Sequence, residues 1–237
     1  KQEEYNHHVL YYRINPRRVL ENHNYIGIFN SKNIDKLIKK FNILTKTVSP
    51  FLPEFDSCNI SRIDYCSNVE LNDQAVIDSY INLLKRGYFP SKYTIKKYKN
   101  EKSKRNTLSK NGITITGNNG IEVTYYNKYR QLKEKNPKCL YIDNSKKIIR
   151  IEIRCFKKKV RHLTKKFKCT SASSFLKESD IIGKYIFKHY ANIFYGTGDF
   201  YKLTDIYAMI DKSSCKKKSK KLMKELVKSS ATHSSLD

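Results

Sequence analysis

Two short stretches set basic and acidic side chains two residues apart. IIRIEIRCF (148–156) alternates so that Arg150, Glu152 and Arg154 share one side, while Ile149, Ile151, Ile153 and Cys155 share the other. CNISRIDYCSNVEL (58–71) alternates in the same way, with Arg62, Asp64 and Cys66 opposite Ile63, Tyr65 and Val69. A third stretch, IEVTYY (121–126), sets Glu122, Thr124 and Tyr126 against Ile121, Val123 and Tyr125. If these segments are neighbouring strands, Asp64, Glu122 and Glu152 converge near a tyrosine hydroxyl. Hard carboxylate oxygens suit Mg²⁺ or Mn²⁺. Such an ion polarises a phosphodiester and neutralises charge on the leaving oxygen. Arg150 and Arg154 are suited to clamping phosphate oxygens. Cross-strand ion pairs on a solvated sheet face are the ordinary use of the same residues, and the spacing alone leaves both readings open.

Such chemistry needs a polyanionic substrate, and the composition points the same way. The chain has 237 residues, with 48 Lys and Arg against 22 Asp and Glu, a formal net charge of +26. An imbalance of that size draws nucleic acid first and anionic membrane second. No uninterrupted apolar run approaches the about 20 residues that span a bilayer. No apolar signal region stands at the visible N-terminus, so nothing argues for secretion. Cys58, Cys66, Cys139, Cys155, Cys169 and Cys215 are scattered, with no C-x-x-C pair. That scatter predicts free thiols rather than a zinc site or a disulfide framework.

The elements that must position these residues follow from periodicity. VLYYRI (9–14) reads as a strand, and NPRRVLENHN (15–24) as a basic turn with Pro16, Arg17 and Arg18. Ile34, Leu37, Ile38, Phe41 and Leu44 fall on one helical face. Asn72 or Asp73 caps a second helix with Val76, Ile77, Tyr80, Ile81 and Leu84 in register, and Gly87 stops it. Residues 91–111 are basic and polar, with Tyr93 and Tyr98 interleaved, and predict a mobile loop or poor strand. GITIT and IEVTYY around Gly-Asn-Asn-Gly predict a hairpin. A short helix follows at 127–135. The strand 148–156 runs into a stretch, 157–168, with seven Lys and Arg and no acid. Helical patterns cover 180–194 and 199–210, then a lysine-rich tail. Strands and helices mix without strict alternation. That predicts an α+β fold: a largely antiparallel sheet with helices on one face and a smaller helical C-terminal region. The expected division is 1–168 for the sheet domain and 169–237 for the helical region.

Four stretches, in order, carry a resemblance: LYYRINPRRVLENHN, ISRIDYCSNVEL, VTYYNKYRQLKEK and IIRIEIRCFKKKVRHL. Together they are similar to the phage and plasmid replication initiation proteins of the gene II/X type, the rolling-circle initiators. The resemblance covers roughly residues 9–165. It implies a site-specific DNA nicking and joining enzyme, in which a tyrosine forms a 5′-phosphotyrosyl link and leaves a 3′-OH as primer. Carried over by residue, it implies Tyr126 as nucleophile, with Tyr125 as the main rival and Tyr129 a weaker one. It implies Asp64 and Glu152 as ligands of Mg²⁺ or Mn²⁺, with Glu122 beside them. Arg62, Lys128, Arg150 and Arg154 would hold phosphates at the site. Arg17, Arg18, Lys157, Lys158, Lys159 and Arg161 would track DNA further out. The implied partners are single-stranded or hairpin origin DNA and a host helicase, in a bacterial cytoplasm and away from membrane. Two features depart from the family pattern. Asn22 precedes His23-Asn24 where glycine is expected, and no His-hydrophobe-His motif is present; His7-His8 does not supply it. A phenol of pKa about 10 is a poor nucleophile at neutral pH, so a neighbouring cation or base must promote its ionisation, and Lys128 is the candidate. A basic nucleic-acid-binding protein without catalysis, for DNA or RNA, is the alternative.

Overall fold

Residues 10–21, 27–29, 31–87, 89–99, 106–107, 109, 111–140, 142–195 and 203–232 are described by a computed structural model. His7-His8 and His23-Asn24 lie outside the described residues.

The strand expected over 9–14 does not form where it is described: residues 10–15 are irregular, and Pro16 opens a short helix, α1 (Pro16–Glu21). Proline suits that first helical position, because its missing N–H has no partner there in any case. Helix α2 (Ile34–Val48) buries Ile34, Leu37, Phe41 and Thr45. Leu44, expected inside, is 49% exposed. The inward stripe steps from Phe41 to Thr45, whose hydroxyl turns back onto the Phe41 carbonyl at 3.1 Å. Strand β1 (Arg62–Glu70) follows, then α3 (Gln74–Arg86), capped by the Asp73 side chain accepting from Val76 N at 2.9 Å. Ile77, Ile81 and Leu84 of α3 are buried, while Tyr80, expected with them, is 51% exposed.

The polar stretch 91–111 supplies a short edge strand, β2 (Tyr93–Ile95), and a two-residue pair, β3 (Tyr98–Lys99) with β4 (Asn106–Thr107). The predicted hairpin is β5 (Gly112–Gly117) and β6 (Ile121–Asn127). Gly120 closes it at φ +77°, a left-handed conformation that favours glycine. Then come α4 (Lys128–Lys135), β7 (Ile148–Phe156) and α5 (Lys157–Lys166). Three helices and a final one complete the described chain: α6 (Ala172–Lys177), α7 (Ser179–Tyr195), α8 (Leu203–Lys212) and α9 (Lys217–Thr232).

The fold is α+β. Five strands form one antiparallel sheet in the order β1-β7-β6-β5-β2. Residues paired across antiparallel strands point to the same side, so the register sorts every side chain. One side carries Tyr65, Ile149, Ile153, Cys155, Ile121, Val123, Tyr125, Ile113, Ile115 and Tyr93, all buried. Helices α3, α5 and α7 cover it with Ile77, Ile81, Leu84, Val160, Leu163, Ile182, Ile186 and Tyr190. Helix α7 and Phe175 of α6, expected to belong with the C-terminal region, therefore complete the core of the sheet. A smaller cluster joins Phe41, Phe55 and Ala172. Helices α8 and α9 pack on each other, with Lys224 held by Asp211 at 2.6 Å, and α8 buries none of its residues. No described helix is long and apolar enough to cross a membrane.

Candidate active site on the polar face of the sheet

The opposite side of the sheet collects the residues singled out by alternation. Arg154 is paired across β1 with Asp64 and across β6 with Glu122. Glu152 lies between Cys66 and Thr124, and Arg150 between Asn68 and Tyr126. The three strands are therefore neighbours, and their polar sides coincide.

The Tyr126 hydroxyl donates to Glu152 Oε1 at 2.6 Å. Burial raises the Tyr126 pKa well above that of a free phenol, and the Glu152 carboxylate that accepts its proton adds to the rise. The Arg150 guanidinium acts in the other direction. Arg150 is itself buried, donates from Nε to Asn68 Oδ1 at 2.8 Å and reaches the Gly27 carbonyl at 3.4 Å.

Lys128 completes this group in an unexpected way. Helix α4 starts at Lys128, so strand alternation no longer places its side chain on the side of Tyr126. Yet the Lys128 ammonium lies over the Tyr126 ring, 5.8 Å from the centroid. Asn127 arranges this. Its side chain is fully buried, accepts from Arg130 N at 3.1 Å as the helix cap, and donates to Gln74 of α3 at 2.7 Å. The chain is thus pinned at the last residue of β6, and Lys128 begins the turn directly above the tyrosine. Only 4% of Lys128 is exposed, and Gln131 accepts from its ammonium at 2.9 Å. Burial, with Arg150 nearby, pushes the Lys128 pKa down to about 8.

Tyr125, the rival nucleophile, faces the other way. It is 3% exposed in the core and packs edge-on against Tyr195 at 6.3 Å. Burial pushes its hydroxyl pKa up strongly. One residue of register separates the two tyrosines, and that places Tyr125 outside the polar face. Tyr129 sits on α4 with Lys146 5.9 Å from its ring centroid.

The other carboxylates have cationic partners. Arg62 holds Asp64 through two hydrogen bonds, at 2.8 and 2.5 Å. Arg154 lies between Asp64, at 3.4 Å, and Glu122, at 2.6 Å. Lys96 holds the second Glu122 oxygen at 2.9 Å. Burial pushes the Glu122 pKa up, but Lys96 and Arg154 outweigh it and hold the carboxyl below its usual range. Asp64, Glu122 and Glu152 therefore share a face, as the alternation implies, with Arg154 between two of them and a phenol on the third. Among the described residues no three His, Cys, Asp or Glu side chains gather as an ion-binding group. In this arrangement the donor set does not fit a three-carboxylate Mg²⁺ or Mn²⁺ site, because guanidinium and ammonium groups hold Asp64 and Glu122 and a phenol holds Glu152.

Cations still outnumber acids on this face: Arg62, Lys96, Arg150, Arg154 and Lys128 stand against Asp64, Glu122 and Glu152. The residues implied to track DNA further out divide. Arg17 donates to the Ile28 carbonyl at 3.0 Å and packs on Gly27, so it supports the segment that receives Arg150. Arg18 is exposed on α1. Lys157, Lys158 and Arg161 are exposed, but Lys159 is 5% exposed, with its ammonium 5.4 Å from the Tyr190 ring centroid. Helical phase explains the exception: 159, 160 and 163 form the inward stripe of α5. Four contributors have no motif of their own: Lys96, Asn68, Asn127 and Gln74. Only register and tertiary packing bring them to the site. Comparisons with family models, curated proteins and solved structures found no match to this chain.

Proposed function

We propose that the protein nicks and rejoins DNA through Tyr126, as a rolling-circle replication initiator does. One observation carries this reading: the Tyr126 hydroxyl donates to Glu152 on a face rich in arginine, with a buried lysine over its ring. The resemblance of four ordered stretches to such initiators supports the same assignment.

In this mechanism the phosphodiester lies on the polar face, its non-bridging oxygens held by Arg150 and Arg154. Binding phosphate loosens the hold of Arg154 on Asp64, the longer of its two contacts at 3.4 Å. The Tyr126 oxygen attacks phosphorus while its proton passes to Glu152. The bond to the 3′-oxygen breaks, that oxygen takes a proton from water, and the 5′-phosphate stays on the tyrosine. The ester conserves the energy of the phosphodiester, so attack by a 3′-OH rejoins the strand without ATP. A raised phenol pKa means that little phenolate exists beforehand, so proton transfer to Glu152 accompanies attack. Lys128 favours the developing negative charge on the ring. Arg62, Arg154 and Lys96 already neutralise Asp64 and Glu122, so the phosphate is held by arginine in this step. The implied setting is the bacterial cytoplasm, with origin DNA and a host helicase as partners.

A second reading is a nucleic-acid binder without chemistry. The saturation of Asp64 and Glu122 by Arg62, Arg154 and Lys96 favours it. The test is a denaturing gel after incubation with end-labelled single-stranded origin DNA, in Mg²⁺, Mn²⁺ or chelator. The nicking reading expects a covalent adduct, absent from Tyr126→Phe and retained in Tyr125→Phe. Tight binding with no adduct in any metal condition selects the second reading.

A further inference from the structure

The polar face of the sheet is not the only cationic surface. On α5 the exposed positions Lys157, Lys158, Arg161, His162, Lys165 and Lys166 follow each other at helical spacing along one stripe. Val160 and Leu163, on the opposite stripe, are packed in the core under the apolar side of the sheet. The basic stripe therefore points away from the sheet on the side opposite Tyr126. Helix α7 runs in the same layer and exposes Lys184 and Lys188. His189 of α7 stacks on Tyr185 at 5.8 Å, and its pKa is lowered by burial, then by Lys159, Lys92, Lys166 and His162.

The two cationic surfaces differ in how they are neutralised. On the sheet face Arg62, Arg154 and Lys96 each have a carboxylate partner. On the helical layer no carboxylate pairs with Lys92, Lys157, Lys158, Arg161, Lys165, Lys166, Lys184 or Lys188 among the described residues. Cations in the first turn of α5 also oppose the helix dipole, so Lys157 and Lys158 do nothing for the helix itself. We infer that the outward face of α5 and α7 is a second polyanion surface, separate from the nicking site, that holds the phosphate backbone of duplex DNA.

Three features select duplex DNA. A rigid pair of helices suits a rigid phosphate array better than a flexible strand. The nearby aromatic rings are already covered, Tyr185 by Lys166 at 4.5 Å and Tyr190 by Lys159 at 5.4 Å, so they offer no platform for unpaired bases. The exposed stripe of α5 carries no apolar residue and α7 exposes Ile181 beside Lys184 and Lys188, one side chain where an interfacial membrane helix needs a stripe. The sheet between the two surfaces keeps the duplex apart from the strand being cut. The inference goes beyond the nicking reading and rests on it only for what occupies the other side.

The test uses the full chain and the variant Lys165→Gln/Lys166→Gln/Lys188→Gln, exposed positions of the same layer, with folding checked by circular dichroism. Binding to a labelled random-sequence duplex is measured across salt concentrations, binding to a short single strand in parallel. Loss of three phosphate contacts should weaken duplex binding roughly tenfold or more and flatten the log–log salt slope by about 2–3. Single-strand binding and any adduct at Tyr126 should be unchanged. Lys184→Gln/Lys188→Gln should move duplex binding the same way, to a smaller extent. Unchanged duplex binding in the triple variant overturns the inference, whether or not an adduct forms. Equal loss of duplex and single-strand binding overturns it in favour of one continuous surface. Loss of binding to phosphatidylglycerol vesicles with duplex binding intact overturns it in favour of membrane. Absence of any adduct at wild-type Tyr126 sinks the nicking reading and leaves this one standing.

Discussion

Tyr126 and Tyr125 are neighbours in the chain and lie on opposite sides of the sheet. Their substitutions should separate cleanly. Tyr126→Phe removes the oxygen that the proposed mechanism uses as nucleophile and should leave no DNA adduct on a denaturing gel. Tyr125→Phe removes a core hydroxyl beside Tyr195 and should keep the adduct. Glu152→Gln keeps the shape of the site but accepts no proton; single-turnover nicking should fall by about 10²–10⁴-fold. Lys128 gives the pH dependence. Its folded pKa, lowered to about 8 by burial, means the ammonium is present at pH 7 and lost as pH rises through about 8. If that charge favours the phenolate, the nicking rate falls above about pH 8, and Lys128→Arg should hold it at higher pH. A rate that keeps rising in the wild type would show instead that neutral Lys128 serves as a base. The sign for stability is separate: between the folded value and the unfolded value near 10.5, the unfolded chain binds more protons, so burial of Lys128 costs less as pH rises through that window.

At the scale of elements, β7 joins the two functions of the sheet. Ile153 is 1% exposed on the core side, between residues whose neighbours make the site. Ile153→Ala should cost about 2–5 kcal/mol in denaturant unfolding and lower nicking only by lowering the folded fraction. The hairpin turn is a second test. Gly120 is left-handed, and an added Cβ would meet Lys158 Cβ at 3.3 Å, so Gly120→Ala should destabilise by about 1–2 kcal/mol. Glu122 ties β6 to Arg154 of β7 and to Lys96 beyond β2. Its carboxyl is held below its usual pKa range, so its contribution is present above the unfolded value near 4.5 and lost as pH falls through the folded one. Glu122→Gln should therefore flatten the acid limb of the stability curve. Elements with strong local signals were readable in the chain: the hairpin from its Gly-Asn-Asn-Gly turn, β7 from its alternation, α3 from a cap at Asn72 or Asp73, of which the structure selects Asp73. The start of the chain was not. Pro16 can open a helix or follow a strand, and periodicity over six residues does not choose. The phase of α2 was misread at Leu44, because a threonine that bonds its own backbone fills an inward position as well as a leucine.

At the scale of the whole molecule, Lys and Arg exceed Asp and Glu by 26, and the polar sheet face and the α5–α7 layer each carry part of that excess. The division predicts a two-part salt dependence: a steep one for duplex binding, through the cations of α5 and α7 that have no carboxylate partners among the described residues, and a shallower one for the single strand, whose arginines must first leave carboxylates. The sequence by itself determined the excess of cations over acids, because net charge is additive and needs no fold. It also determined which side chains share a strand side, because the β period is 2. Tertiary structure alone decided that three such sides coincide, since register between distant strands depends on the packing of Ile149, Ile153, Val123 and Ile115 against α3 and α7. It decided that Arg154 separates Asp64 from Glu122, and that the capped turn at Asn127 brings Lys128 over Tyr126. It also sent the basic run of α5 to the far side of the sheet, because Val160 and Leu163 had an apolar layer to fill there and the lysines had only water.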